Sequence, residues 1–408
     1  MKNTVTGYAF PHFLRNTVNA YPATIFFLAI ALNGQSLSDC QKFRHHGQTR
    51  EASACFARLA SGSDPYLRAE GLWGVGQFKD ANDQFRAALK ANPKSVNIRV
   101  RWGRFFLERF NKDEAKALFE EALENDKDSA TASLGLALVA SEGFTSAANH
   151  FAERAAELDP KMAEAHELLA YLALEDSDPD RAAKEADKAI ALDPESLDAM
   201  AVHASIDWLN DKNDTPWIGR ILKTNPIYGE AYSMGGHFFV INRRYEEGIR
   251  AYRKALELNP ELWEARSQLG VNLMRLGEDD EAYKQLEQSF NAGYKSPETV
   301  NTLRLLDYYK KLVTFKTSNT IIRLDKKEAD LLHPYIEAEL KRAIATYDKK
   351  YQMKLNVPVQ LEVYPNHDDF AVRTAGLPGI GGILDLLDSL LFNAPLMYLY
   401  LRHVLTHP

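Results

Sequence analysis

Small and bulky apolar residues return along this chain in a fixed frame. Ahead of Pro93 stand Ala69, Gly76, Ala81 and Ala88, with Phe85 as the large partner; the next stretch sets Gly103, Phe106, Ala115, Phe119 and Ala122 at equivalent offsets. Ala170, Ala182, Ala186 and Ala189 do the same ahead of Pro194, and a late unit has Gly270, Leu273, Gly277, Ala282 and Leu286. Two antiparallel helices approach closely only where one contributes a small side chain, and a large one from the other fills the hollow. The pattern therefore predicts helices packed in pairs. Polar punctuation keeps the same beat, as Lys90-Ala-Asn-Pro93, Glu157-Leu-Asp-Pro160, Ala191-Leu-Asp-Pro194, Lys223-Thr-Asn-Pro226 and Glu257-Leu-Asn-Pro260. These prolines are 67, 34, 32 and 34 residues apart. The period is therefore about 34, with one proline skipped near Lys127. Proline ends the second helix of each pair because it has no N–H and disfavours helical geometry in the residue before it. Residues 39–312 are expected to hold about 7–8 helical hairpins, including one at residues 201–226, where the stretch from Asp207 to Pro216 interrupts the pattern.

These residues and this period resemble the tetratricopeptide repeat family over residues 39–309. The resemblance implies a mainly α fold, a right-handed superhelix of antiparallel helix pairs with a small C-terminal α+β unit appended. No single hairpin buries its apolar face, so neighbours stack. It also implies a scaffold that binds a protein or peptide partner on its concave surface. Some members clamp a chaperone's C-terminal carboxylate with Lys and Asn on adjacent first helices. The matching positions here are Val100 and Arg104, Glu167 and Tyr171, Ser233 and His237, and Ser267 and Val271, so that ligand is disfavoured. Arginine and aromatic side chains combine area with directional contacts, which makes Arg99, Arg101, Arg104, Tyr232, His237 and Arg266 the candidate partner-binding residues; packing between hairpins is the alternative role for the neighbouring Trp102, Phe238 and Trp263.

Beyond Leu305 the period stops. Residues 314–325 alternate and are β-branched, which predicts one strand. Residues 334–353 read as a helix with Pro334 near its start and Ile336, Leu340, Ile344 and Tyr347 on one face. Residues 357–364 read as a second strand, followed by a turn over residues 365–369. This order, with the phrase from Val363 to Ile380, resembles the opening of a peptidase MA-like (gluzincin) domain over residues 314–380. In that family a His-Glu-x-x-His helix follows, whose histidines bind zinc while the glutamate activates water. Here His403 and His407 have the spacing, but Val404 stands where the base belongs. The pair is read as incidental, and no catalytic residue, cofactor or metal is expected. Zinc enters only under the alternative, a metallopeptidase truncated or frame-shifted after Ile380, with residues 381–408 as an apolar tail.

The apolar run over residues 23–32 is too short to span a bilayer, which takes about 20 residues, and fits the core of a signal peptide ending near residue 38. Export to a periplasmic or extracellular compartment is expected; the alternative is a cytoplasmic protein with an N-terminal apolar segment, the one part that would touch a membrane. Cys40 and Cys55, the only cysteines, flank Gly47 and Gln48 symmetrically. If that pair turns a hairpin, the thiols face each other and a disulfide is expected; otherwise both are small buried hydrophobes. His45 and His46 are read as a hairpin end. With 45% hydrophobic and 26% charged residues, the chain has the balance of a folded protein. Its net charge of -7 gives no electrostatic reason to bind nucleic acid.

Overall fold

The computed structural model describes residues 36–141, 146–352, 355 and 358–375. The N-terminal apolar run, the tail over residues 381–408, and His403 and His407 lie outside them. Eight helical hairpins run in order: α1 (Leu37–His45) with α2 (Thr49–Ala60), α3 (Pro65–Gly74) with α4 (Phe78–Ala91), α5 (Val96–Glu108) with α6 (Lys112–Asn125), and α7 (Ala130–Ser141) with α8 (Ala147–Leu158). Then come α9 (Ala163–Glu175) with α10 (Pro179–Leu192), α11 (Leu197–Leu209) with α12 (Pro216–Thr224), α13 (Glu230–Ile241) with α14 (Tyr245–Leu258), and α15 (Trp263–Arg275) with α16 (Asp279–Asn291). Among the described residues, no helix is long and apolar enough to cross a membrane.

Each hairpin turns and ends by the same local chemistry. In seven described turns the chain takes one left-handed residue, at Gly47, Gly76, Phe110, Ser177, Asp211, Arg243 and Gly277. The next N–H then reaches back to a carbonyl five residues earlier, as Asn111 does to Phe106 at 3.0 Å and Glu278 to Leu273 at 3.0 Å, closing the first helix in a Schellman turn. The second helices stop two residues before the prolines. There Asp159, Asp193, Asn225 and Asn259 accept the backbone N–H two residues on, at 3.1, 2.9, 3.1 and 3.1 Å. These side chains cover the donor that the helix has left behind. Asp126 makes the same bond to the Asp128 N–H at 3.1 Å without any proline. The proline is skipped there and the repeat is not.

Packing follows the small-and-large frame. Phe119 of α6 is fully buried; a Cβ added at Gly103 of α5 would lie 2.6 Å from its ring, and one at Gly135 of α7 2.4 Å. One aromatic ring thus occupies the hollow left by two glycines and ties three helices together. Successive first helices, such as α9 and α11, pack on each other, whereas no successive second helices among the described residues do so to the same extent. The array therefore curves with its first helices inward. At the irregular hairpin, α12 has only 9 residues, so α13 packs directly on α11 and Gly235 receives the ring of Trp208, 2.4 Å from where a Cβ would stand.

Curvature brings distant hairpins together. The α1–α2 turn meets the loop between α10 and α11, where the His45 ring nitrogen lies 3.1 Å from the Glu195 carbonyl oxygen, and a Cβ at Gly47 would lie 2.3 Å from the side-chain oxygen of Asn225. Phe110, in the α5–α6 turn, meets Tyr294 edge-on, with ring centroids 4.9 Å apart. In both cases a hairpin turn abuts a loop four or more hairpins further along.

The structure joins Cys40 of α1 to Cys55 of α2 in a disulfide, Cα atoms 5.3 Å apart and both side chains fully buried.

The array ends on α17 (Pro297–Tyr309), whose expected partner helix is replaced by a small unit: β1 (Leu312–Lys316), β2 (Thr320–Asp325), α18 (Ala329–Tyr351), β3 (Val359–Glu362) and α19 (His367–Ala375). Residues 314–325 were expected as one strand and form parts of two. The Thr317 hydroxyl accepts from the N–H groups of Asn319 and Thr320 at 3.2 and 3.0 Å, and this turn folds β1 antiparallel onto β2. β3 joins β2 in parallel, giving a mixed sheet of order β1-β2-β3. The helix starts before Pro334, which lies inside its second turn, and the expected turn at residues 365–369 runs into α19. Ile336 and Leu340 pack on the sheet beside Ile322 and Leu324, whereas Tyr347 is 56% exposed.

Candidate partner-binding surface

The inward face is built from the first helices, and most of its cations are already engaged. Arg101 forks onto Glu70 of α3 at 2.6 and 2.8 Å, and its guanidinium lies 4.8 Å from the Trp73 ring centroid. The Trp73 indole N–H donates to Glu108 at 2.8 Å. Arg104 pairs with Glu164 two hairpins away, and His237 pairs with Glu175 and stacks on Tyr171. The other candidates face their neighbouring helices. Arg99 pairs with Glu121 of α6 at 3.1 Å. Arg266 donates to Gln285 and Gln288 of α16 at 2.8 and 2.9 Å and to the Pro260 carbonyl. Tyr232 stacks on Trp208 with centroids 5.3 Å apart. Trp102 stacks on Phe85, and Phe238 is fully buried. The six side chains chosen for directional contacts make them within this chain.

A different set of groups meets on the inward face. Glu167 of α9, Asp198 in the first turn of α11 and Glu230 at the start of α13 meet around Tyr228, whose hydroxyl donates to Asp198 at 2.5 Å, and Glu164 in the first turn of α9 adds its charge to Glu167 and Asp198. The field of a helix N-terminus favours each carboxylate singly. Gathered together, they repel. Burial pushes the Glu167 carboxyl up to about 7, with the charge of Asp198 next in importance, against the lowering effect of the Ser196 hydroxyl. The protein packed around them likewise raises Asp198, whose side chain still reaches solvent, and the half-buried Glu230. One Glu230 oxygen is buried and accepts no hydrogen bond. Glu108 is raised too, by burial above all.

Read singly, such residues look like ordinary acids of a first helical turn, and only the curvature shows that four of them share one place. A folded-state pKa near 7 for Glu167 exceeds its ordinary unfolded value near 4.3, so folding favours the protonated form. That contribution is complete below the unfolded value and is lost as pH rises through about 7. Glu167→Gln is therefore expected to raise stability relative to wild type at pH 8, by at most about 4 kcal/mol and less where water screens the group, and to leave it unchanged near pH 4. Paired thermal melts at the two pH values decide it; an equal shift at both would exclude charge as the cause.

A family model described as tetratricopeptide repeat matches residues 66–130, 100–143, 132–196 and 239–292. The hairpins within these residues match the tetratricopeptide repeat. The repeats are similar to anaphase-promoting complex subunit 3 of Schizosaccharomyces pombe, at 24% identity over 144 residues. That match covers 31% of this chain and 22% of the relative, so the chain spans about a fifth of its length. Among solved structures, a tetratricopeptide repeat protein from Parabacteroides merdae is 16% identical, covering 64% of this chain and all of that one, with a TM-score of 0.42. The anaphase-promoting complex hetero-tetramer Cut9–Hcn1 is 15% identical, covering 68% of this chain and 57% of that one, with a TM-score of 0.44. Tetratricopeptide repeats generally mediate protein–protein interaction.

Proposed function

We propose that this chain is an interaction scaffold whose inward face takes a peptide or protein segment bearing lysine or arginine. The observation that carries this reading is the meeting of Glu167, Asp198 and Glu230 around Tyr228, three carboxylates raised above all by the protein packed about them and, for Glu167 and Glu230, also by the charge of Asp198. A cationic side chain placed among them regains Coulomb energy that water supplies poorly there. Of the inward arginines, Arg101 serves Glu70 and Arg104 serves the neighbouring Glu164, and neither pairs with Glu167, Asp198 or Glu230. Work in an oxidising, exported setting is supported by the Cys40–Cys55 pairing.

A second reading takes the C-terminal unit as the opening of a peptidase MA-like domain, with the repeats recruiting substrate. It is supported by the order of two strands, a helix and a third strand parallel to the second.

Fluorescence anisotropy with a labelled lysine-rich decapeptide tests the scaffold reading. Affinity is expected to fall at least tenfold in the Glu167→Gln/Asp198→Asn/Glu230→Gln variant, and to fall as salt rises from 50 to 300 mM. A glutamate-rich decapeptide binding equally well, or an unaffected triple variant, would defeat it. Chelator-sensitive cleavage of the bound peptide, in place of simple retention, would favour the peptidase reading.

A further inference from the structure

His45 and His46 end the first helix of the array and point the α1–α2 turn at a loop about 150 residues further along. The fit there is close. His46 offers its ring Nε2 3.2 Å from a Glu195 carboxylate oxygen, and His45 places its own Nε2 3.1 Å from the Glu195 carbonyl oxygen. The loop itself is held by the Asp193 carboxylate, which accepts the Glu195 N–H at 2.9 Å. The turn is held by Gly47, whose left-handed backbone and missing Cβ let it press against Asn225. One ligand atom from each of His45, His46 and Glu195 lies within 4.8 Å of the other two.

We propose that His45, His46 and Glu195 form a site for a divalent transition ion such as Zn²⁺, which fastens the first hairpin to the α10–α11 loop. Two imidazoles and one carboxylate are borderline ligands that suit Zn²⁺ and disfavour Ca²⁺ or Mg²⁺. Tetrahedral zinc with bonds of about 2.0–2.1 Å sets its ligand atoms roughly 3.3–3.5 Å apart. The surroundings favour a cation: Asp198 interacts electrostatically with His45, and Glu164 adds its charge to Asp198. Water completes the fourth position. The site does not depend on the partner-binding reading, since none of its three ligands is a carboxylate substituted to test that reading.

Calorimetric titration of the untagged, chelator-stripped full chain with ZnCl₂ tests it. One equivalent is expected to bind, with affinity lowered at least 100-fold in His45→Ala/His46→Ala and at least tenfold in Glu195→Gln. His403→Ala/His407→Ala is expected to bind as wild type does. Hydrogen exchange supplies a reading independent of affinity: zinc is expected to slow exchange at residues 42–50 and 193–198 together, and in neither segment of the Glu195→Gln protein. Absence of saturable binding, wild-type affinity in the substituted site, or protection confined to one segment would overturn the proposal. Circular dichroism of each variant separates loss of the site from loss of the fold.

Discussion

Arg323→Met is expected to destabilise the C-terminal unit by about 3–5 kcal/mol, the loss that follows when one partner of a buried ion network is removed. Arg323 on β2 is 2% exposed. It pairs with Glu362 of β3 and with Asp279 of α16, and donates to the Gln360 side-chain oxygen at 3.1 Å. Glu362 also accepts from Arg373 and the Tyr364 hydroxyl, each at 2.7 Å. Burial alone would raise Glu362, but Arg373, the Tyr364 hydroxyl and Arg323 outweigh it and hold its carboxyl below the usual range. Asp279, which burial raises, depends on Arg323 as its main counter-charge. Methionine would fill the volume and strand Asp279, leaving Glu362 to Arg373 and the Tyr364 hydroxyl. Because Arg323 and the Gln360 bond to the Arg275 carbonyl at 2.7 Å fasten sheet to repeats, urea unfolding should show the sheet melting before the array. Lysine is not expected to restore the wild type, since one ammonium cannot fork to both carboxylates. A loss below about 1 kcal/mol would mean that the joint relies on apolar packing instead.

Phe119→Ala is expected to cost about 3–5 kcal/mol, the range for emptying a large aromatic site in a core. The ring has no room to be replaced by collapse from either side, because Gly103 and Gly135 present bare backbone to it. In an array of stacked hairpins the loss falls on the interface between α5, α6 and α7, so unfolding should lose its single transition. The same contacts make a reciprocal prediction. Gly135→Ala should cost about 1–3 kcal/mol in the wild type by overpacking and much less in the Phe119→Ala background. A double-mutant cycle in denaturant measures that coupling; additive effects would show that ring and glycine do not share one space.

The repeat frame was legible because packing demands it of the sequence. A small residue facing a large one is a requirement of close helices, so Gly103 and Phe119, or Gly270 and Leu286, had to recur in step. The turns were less legible. Only Gly47, Gly76 and Gly277 announce a left-handed residue, whereas Phe110, Ser177, Asp211 and Arg243 adopt it under pressure from the helices on either side. The division of residues 314–325 was hidden in Thr317, whose hydroxyl makes a turn inside a β-branched run.

The site was the least legible part. Arg101 and Arg104 looked free because a sequence shows a cation without showing the acid it will meet, and those acids, Glu70 and Glu164, stand 31 and 60 residues away. The grouping of Glu167, Asp198 and Glu230 depends on the curvature, which no local pattern encodes. The disulfide was one of two readings the spacing left open, as two cysteines equidistant from a turn can meet if the turn forms and both face the partner helix.

An open solenoid touches only its neighbours, and such chains fold locally and fast, from wherever nucleation occurs. Here the turn after α1 rests on residues near 195 and 225, and Phe110 rests on Tyr294. Those contacts form only after more than a hundred intervening residues have taken their places. They lengthen the average loop that folding must close, and they come last. The first hairpin of the array is thus expected to be among the last to find its final neighbours.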